Sequence, residues 1–214
     1  VEDPRLAKGI VKREVIRIIT PGTVLESNML QESNPNYLLG VCFKDSAYGV
    51  AYTDISTGEF MTTEISGDSF EQKFFDEIAR INPAEIVLPV SLYHDESFRQ
   101  RLVRTINVTV TKFYEDKDFF NEAVRMIKEH FQANSLEALG LAGLSSAVSA
   151  VGLVLSFLKD TQKKDLSYLQ DLSIYSVSSF MMIDQSTRRN LELTATIRDG
   201  QKKGSLLWVL DQTV

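Results

Sequence analysis

The chain has 214 residues, 43% of them hydrophobic and 24% charged, with a formal net charge of −6. That composition is globular and sufficient to bury a core, and its acidic balance argues against strong nucleic-acid binding through phosphate neutralisation, leaving only local basic patches for that role. Cys42 is the single cysteine, which excludes an internal disulfide framework and fits a reducing compartment, and the distant His94 and His130 lack zinc-site spacing.

Residues 1–19 begin with a charged turn, VEDPRLAKG. Val11, Arg13, Val15, Arg17 and Ile19 then alternate with Lys12, Glu14, Ile16 and Ile18, which predicts an edge strand with a solvated basic face. Thr20-Pro-Gly-Thr23 ends it in turn residues and marks a domain boundary, followed by a polar connecting segment, Glu26–Pro35. Tyr37–Phe43 is apolar on both faces, as in the middle of a covered sheet. Tyr48, Val50 and Tyr52 alternate with Gly49, Ala51 and Thr53, a second strand. Asp54-Ile-Ser-Thr-Gly58 supplies turn chemistry, and Glu59–Ile65 resumes in strand-favouring residues.

Asp68–Ile81 reads as a helix, with Asp68 and Glu71 as a capping-box-like start. Phe70, Phe74, Phe75, Ile78 and Ile81 fall on one face as a core stripe. Asn82-Pro83 stops it. A strand follows at Ala84–Pro89, a helix at Ser91–Leu102 and a strand at Ile106–Thr111. Asp116–Phe131 is a second amphipathic helix, with Phe119, Phe120, Val124, Ile127 and Phe131 inward and Asp118, Glu122, Arg125, Lys128 and Glu129 outward. Ala138–Leu158 runs for 21 residues without a charge, long enough to span a bilayer. Gly140, Gly143 and four serines dilute it, and it has no flanking aromatic belts, so it reads as a buried helix at Ser145–Leu158. Lys159–Asp165 is a charged break. Leu206–Val214 is an apolar helical pattern barely begun, from which we expect a piece of a longer protein.

The order β-β-β-α-β-α-β-α followed by a buried helix predicts an α/β, ribonuclease-H-like layer. Its sheet is mixed, its first three strands antiparallel, with helices on the faces. Nucleases of that fold hold divalent metals on clustered carboxylates. A metal-dependent nuclease centred on Asp54 is therefore the alternative function; Glu85 opens the fourth strand, but nothing in the sequence places it beside Asp54. The simpler role for Asp54 is to cap its own turn.

Met181–Leu193 carries an N-cap, Asp184. This stretch, a hydrophobic-Asp-x-x-Thr-Arg-Arg-Asn-Leu-Glu-Leu pattern followed by Gly-Ser-Leu-x-x-Val-Leu-Asp-x-Thr at Gly204–Thr213, closely resembles the start of the core domain of the MutS family of DNA mismatch-repair ATPases. Asp3-Pro4, Lys8-Gly9 and Val15–Thr23 look like the end of the family's mismatch-recognition domain. Tyr52–Phe60, Asn82–Leu88 and Leu155–Gln162 look like its connector, of ribonuclease-H-like fold. The resemblance implies three parts: residues 1–23 closing the mismatch-recognition domain, 24–174 as connector and 175–214 opening the core.

It further implies a connector that carries signals between mismatch recognition and the ATPase and offers a docking surface to MutL. The family's Phe-x-Glu wedge is expected upstream of Val1, and no G-x-x-x-x-G-K-[ST] loop occurs in the chain. No catalytic, cofactor-binding or metal-binding residue carries over, and no enzymatic activity is expected of this stretch. ATP and magnesium belong to the intact family protein. The implied partners are MutL, the other MutS domains and, for the intact protein, mismatched DNA. The stretch is expected to be monomeric, the intact protein a dimer or tetramer, without membrane attachment, cytoplasmic and nucleoid-associated on DNA. Hinges are expected at Thr20–Thr23 and Lys159–Asp171, and docking on the outer face of Asp116–Phe131 through Arg125 and Lys128. A DNA-binding role would fall to Lys8, Lys12, Arg13 and Arg17, or to Arg188 and Arg189.

Overall fold

The structure, a computed structural model, describes residues 15–24, 35–113, 119–163, 166–179 and 183–211. Six strands, β1 (Leu38–Lys44), β2 (Ala47–Asp54), β3 (Glu59–Ile65), β4 (Glu85–Leu88), β5 (Thr109–Lys112) and β6 (Ser173–Ile174), form one sheet in the order β5-β4-β1-β2-β3-β6. β1, β2 and β3 are joined antiparallel, whereas β4, β5 and β6 add in parallel. This is the mixed α/β layer expected from the element order. Asp45 and Ser46, both at positive φ, close β1 onto β2 in a two-residue turn, the backbone that matches strand twist in a tight hairpin.

Because side chains alternate across a strand, the sheet divides two cores. Leu39, Val41, Val50, Tyr52 and Ile86 face α1 (Phe70–Ile81) and, beyond the short α2 (Val90–His94), α3 (Glu96–Thr105). Leu38, Cys42, Ala51, Phe60 and Val87 face α4 (Phe119–His130) and α5 (Ser145–Gln162). Phe74, Phe75, Ile78 and Ile81 of the expected aromatic stripe are buried, and Phe70 at the helix start is half-buried. Burial pushes the Cys42 thiol up to about 12, which keeps it a neutral core side chain.

α5 lies against β1 and β2 because β2 offers it Gly49. A Cβ there would stand 1.9 Å from the Ser146 carbonyl oxygen. The first turn of α5 is held from outside the helix. The Ser146 and Ala147 amides donate to the Glu64 carboxylate at 2.8 and 3.2 Å, and the Ser146 hydroxyl donates to the Lys44 and Ala47 carbonyls. α5 runs on to Gln162, beyond the expected Leu158, because Thr161 and Gln162 are buried too. Among the described residues no helix is long and apolar enough to cross a membrane.

Several expectations are corrected. Residues 15–19 form no strand, and 11–14 lie outside the described residues. Ile18 donates its amide to the Thr161 carbonyl at 2.7 Å instead of entering a ladder, since alternation makes a strand only where a neighbour can pair with it. The Asp68–Glu71 capping box does not form. Ser69 at the helix start is left-handed without a side-chain cap, and Glu71 pairs with Arg101 at 2.7 Å. The single helix expected at Ser91–Leu102 is two, broken at Asp95, whose carboxylate accepts from the Phe98 amide at 3.0 Å. Asp95→Ala should therefore cost about 1 kcal/mol in urea unfolding, the usual value of an N-cap. The fifth strand sits at Thr109–Lys112, because Ile106 still closes the last turn of α3. The starts of the polar segment Glu26–Pro35 and of the helix at Asp116 lie outside the described residues.

Candidate functional site

The polar chemistry of the fold concentrates in two clasps, one on the segment that leads into the sheet and one on the segment that leaves it. In the first, Glu85 opens β4 and is fully buried. Its Oε2 accepts from the Thr20 hydroxyl and, at 3.0 Å, from the Gly22 amide, while Oε1 accepts from the Thr111 hydroxyl at 2.6 Å. A 3-10 turn, Pro21–Thr23, is thereby pressed onto the end of the sheet. Thr20 and Thr23 cap each other, and Arg17 donates to the Thr23 carbonyl. A side chain at Gly22 would meet Leu38 and Glu85 within about 3.0 Å, so only glycine lets the turn lie this close.

Asp54, the last residue of β2, belongs to the same end. Its Oδ1 accepts from the Ser56 amide at 2.8 Å and the Ser56 hydroxyl at 2.6 Å, and its Oδ2 accepts from the Asn36 amide at 3.0 Å. Asn36 in turn donates its side-chain amide to the Pro21 carbonyl. The turn-capping role of Asp54 is the observed one. The metal-site alternative fails on geometry. Glu85 and Thr53 both align with Leu38 across the ladder, so Asp54, one residue on, lies on the opposite face. Among the described residues no group of three or more His, Cys, Asp or Glu is placed to hold a metal ion.

The second clasp is built on α1. Glu77 is buried and grips Arg80 through both oxygens at 2.9 and 2.6 Å, and it accepts from the Tyr175 hydroxyl at 2.6 Å. Tyr175 follows β6, donates its amide to the Thr62 carbonyl and meets Tyr52 edge-on. The Arg80 guanidinium lies 5.7 Å from the centre of the Tyr175 ring. Burial, then the Glu77 carboxylate, raises the Tyr175 phenol, which keeps its proton in this bond. The hydrogen bonds that Arg80 donates to Glu77 raise the Arg80 guanidinium above its ordinary value, a charge-assisted contact. In α6 (Gln185–Asn190), Arg188 is lowered by burial and then by Arg80, and Arg189 is exposed.

Sequence reasoning reached Asp54, Glu85 and the Asp184 cap, whose carboxylate accepts from the Thr187 amide at 2.8 Å, but missed Glu77 and Tyr175. One signal was available: Glu77 is a carboxylate inside the apolar face of α1, with arginine three residues on. The expected hinge at Thr20–Thr23 is clamped by Glu85. Within Lys159–Asp171, Leu166 and Leu169 are buried and the Leu169 carbonyl meets the His130 ring at 2.7 Å, while 164–165 lie outside the described residues. On α4, Ala123, Met126 and Ile127 are buried and Arg125 and Glu129 exposed, with Lys128 half-buried; Asp118 lies outside the described residues, as do Lys8, Lys12 and Arg13.

Comparison with known proteins adds a family. A model described as MutS domain II matches residues 36–170. The chain is 46% identical over its whole length to the DNA mismatch repair protein MutS of Lachnoclostridium phytofermentans, 42% to that of Acetivibrio thermocellus and 38% to that of Methanococcoides burtonii. It spans 22%, 24% and 24% of those relatives, about a quarter of their length.

Proposed function

The chain belongs to the MutS family, with that family's domain II at residues 36–170, and from this we propose that it works as a connector. It transmits signals between the mismatch-recognition and ATPase parts of a longer MutS protein and offers a docking surface to MutL. In this reading residues 24–174 are the connector, flanked by the end of the mismatch-recognition domain and the start of the core. The chain itself carries out no reaction and holds no cofactor. Mismatched DNA, ATP and magnesium belong to the longer protein, which works in the cytoplasm as a dimer or tetramer.

The observation that carries the proposal is the pair of clasps. A body that passes motion between two neighbours must be rigid and gripped at both ends, because slack at either end absorbs the displacement. Glu85 grips the incoming turn through Thr20 and Gly22, and Glu77 grips the outgoing segment through Tyr175. Both grips join parts of the chain 63 to 98 residues apart. The MutL surface is the outer face of α4, where Arg125 is exposed beside Lys128.

Titration of the chain with purified MutL, with mismatched duplex DNA as comparison ligand at low and physiological salt, tests it. Saturable MutL binding is expected, weakened about tenfold by Arg125→Glu/Lys128→Glu, a loss of about 1.4 kcal/mol. Tight, salt-sensitive DNA binding without MutL binding would overturn the proposal.

A further inference from the structure

β5 is a terminal strand of the sheet. Among the described residues no strand pairs with its far side. The Phe113 amide donates to the Leu88 carbonyl at 2.8 Å. Since alternate residues turn their backbone groups to alternate sides, Thr109, Thr111 and Phe113 address β4, and Val110 and Lys112 turn N–H and C=O to the open edge. Sheet edges are blunted by shortness, edge lysines, prolines or bulges, and β5 has only the first two, four residues ending in Lys112. β5 has no proline and keeps an unbroken register with β4, from Glu85 opposite Thr109 to Leu88 opposite Lys112.

A groove runs between this edge and α3, lined by Tyr93, Arg99, Val103, Arg104, Val108 and Val110. Val103 is 54% exposed at its apolar floor. Arg99, Arg104 and Glu96 line the groove, and the exposed Lys112 stands at the end of β5, on the same face as Val110. Glu96 pairs with Arg99 and Glu71 with Arg101. Arg104 and Lys112 have no carboxylate partner among the described residues.

We propose that this groove takes an extended acidic peptide segment of a partner protein, added as a further strand along β5. Main-chain hydrogen bonds to Val110 and Lys112 supply the ladder. Side chains at alternate peptide positions face the groove, aliphatic ones settling on Val103, Val108 and Val110 and carboxylates on that same face meeting Arg104 and Lys112. A nucleic-acid backbone fits less well. It would use the cations but neither the edge amide–carbonyl pairs nor the valines. The site is independent of the α4 surface, since it is on the other face of the sheet.

The probe is a capped hexapeptide, glutamate–threonine–valine–threonine–glutamate–threonine, whose glutamates and valine share one face of a strand, titrated into the whole 214-residue chain labelled with nitrogen-15. Saturable shifts at the Val110 and Lys112 amides are expected, with their hydrogen exchange slowed. A copy of the peptide N-methylated at alternate residues should lose binding, because it cannot form the ladder. Arg104→Glu/Lys112→Glu should weaken binding at least about tenfold while melting within a few degrees of the parent, because both side chains are exposed. Equal binding of the same peptide with lysine in place of glutamate, or displacement of the acidic peptide by an oligothymidylate, would overturn the proposal. So would slow exchange of the Val110 and Lys112 amides in the chain alone, since β5 would then already be paired by a second copy or by the chain itself.

Discussion

Gly49→Ala should lower the stability of the chain by about 3 kcal/mol or more, at the upper end of what overpacking a core costs. The added Cβ would stand 1.9 Å from the Ser146 oxygen, 2.0 Å from its carbonyl carbon and 2.5 Å from the Ala147 nitrogen. These are backbone atoms, so no rotamer change relieves the clash. Nor can α5 simply back away. Its first turn is tied to Glu64, and Ser146 is tied to both ends of the β1–β2 turn. The melting temperature should fall by roughly 6–12 °C, on a conversion of about 2–4 °C per kcal/mol for a chain of this size. Gly67→Ala is the control. Its φ is +78° with nothing within 4 Å of a Cβ, so it carries only the left-handed penalty of about 1–2 kcal/mol. A Gly49→Ala variant no less stable than Gly67→Ala would mean that α5 is not held as described.

Glu85→Ala should cost about 3 kcal/mol and act first on the leading segment. The side chain is fully buried and takes three donors, the Thr20 and Thr111 hydroxyls and the Gly22 amide. Each donor left unpaired in the interior costs about 1–3 kcal/mol, less where it can turn toward water. Glu85→Gln separates hydrogen bonding from packing. Its carbonyl can replace Oε2, and its amide can donate to Thr111, whose hydroxyl accepts as readily as it donates. The Gln variant should lose about 1 kcal/mol. Hydrogen exchange gives the local readout: in Glu85→Ala the Gly22 amide should exchange far ahead of β1 and β2, because opening of the turn no longer needs global unfolding. Equal losses for Ala and Gln, with Gly22 still protected, would remove the clasp from the account.

The comparison of sequence with structure turns on range. Tyr48, Val50 and Tyr52 point to one core and Ala51 and Thr53 to the other because a strand alternates, and that period is visible in eight consecutive residues. The stripe of α1 and the Asp54 turn are equally local, and the colinear motif blocks carried the family, now matched at residues 36–170. β6 has only two residues, Ser173 and Ile174, too few for any period to announce. It exists because β3 leaves an edge for it to pair with. The alternation in residues 11–19 points the other way, a strand-like pattern whose described part has no strand partner.

By itself, the sequence determined the order of β1 to β5 and the faces that α1 and the first strands bury, and the turn at Asp54, since each rests on contacts a few residues apart along the backbone. Only the tertiary structure decided what the buried carboxylates hold. Glu85 reaches Thr20 and Gly22 across more than 60 residues, and Glu77 reaches Tyr175 across 98. It also decided that Asp54 and Glu85 face opposite ways, because that follows from the register of β2 and β4 on β1. Register is set by how whole strands bury their apolar faces together, and no single strand contains it.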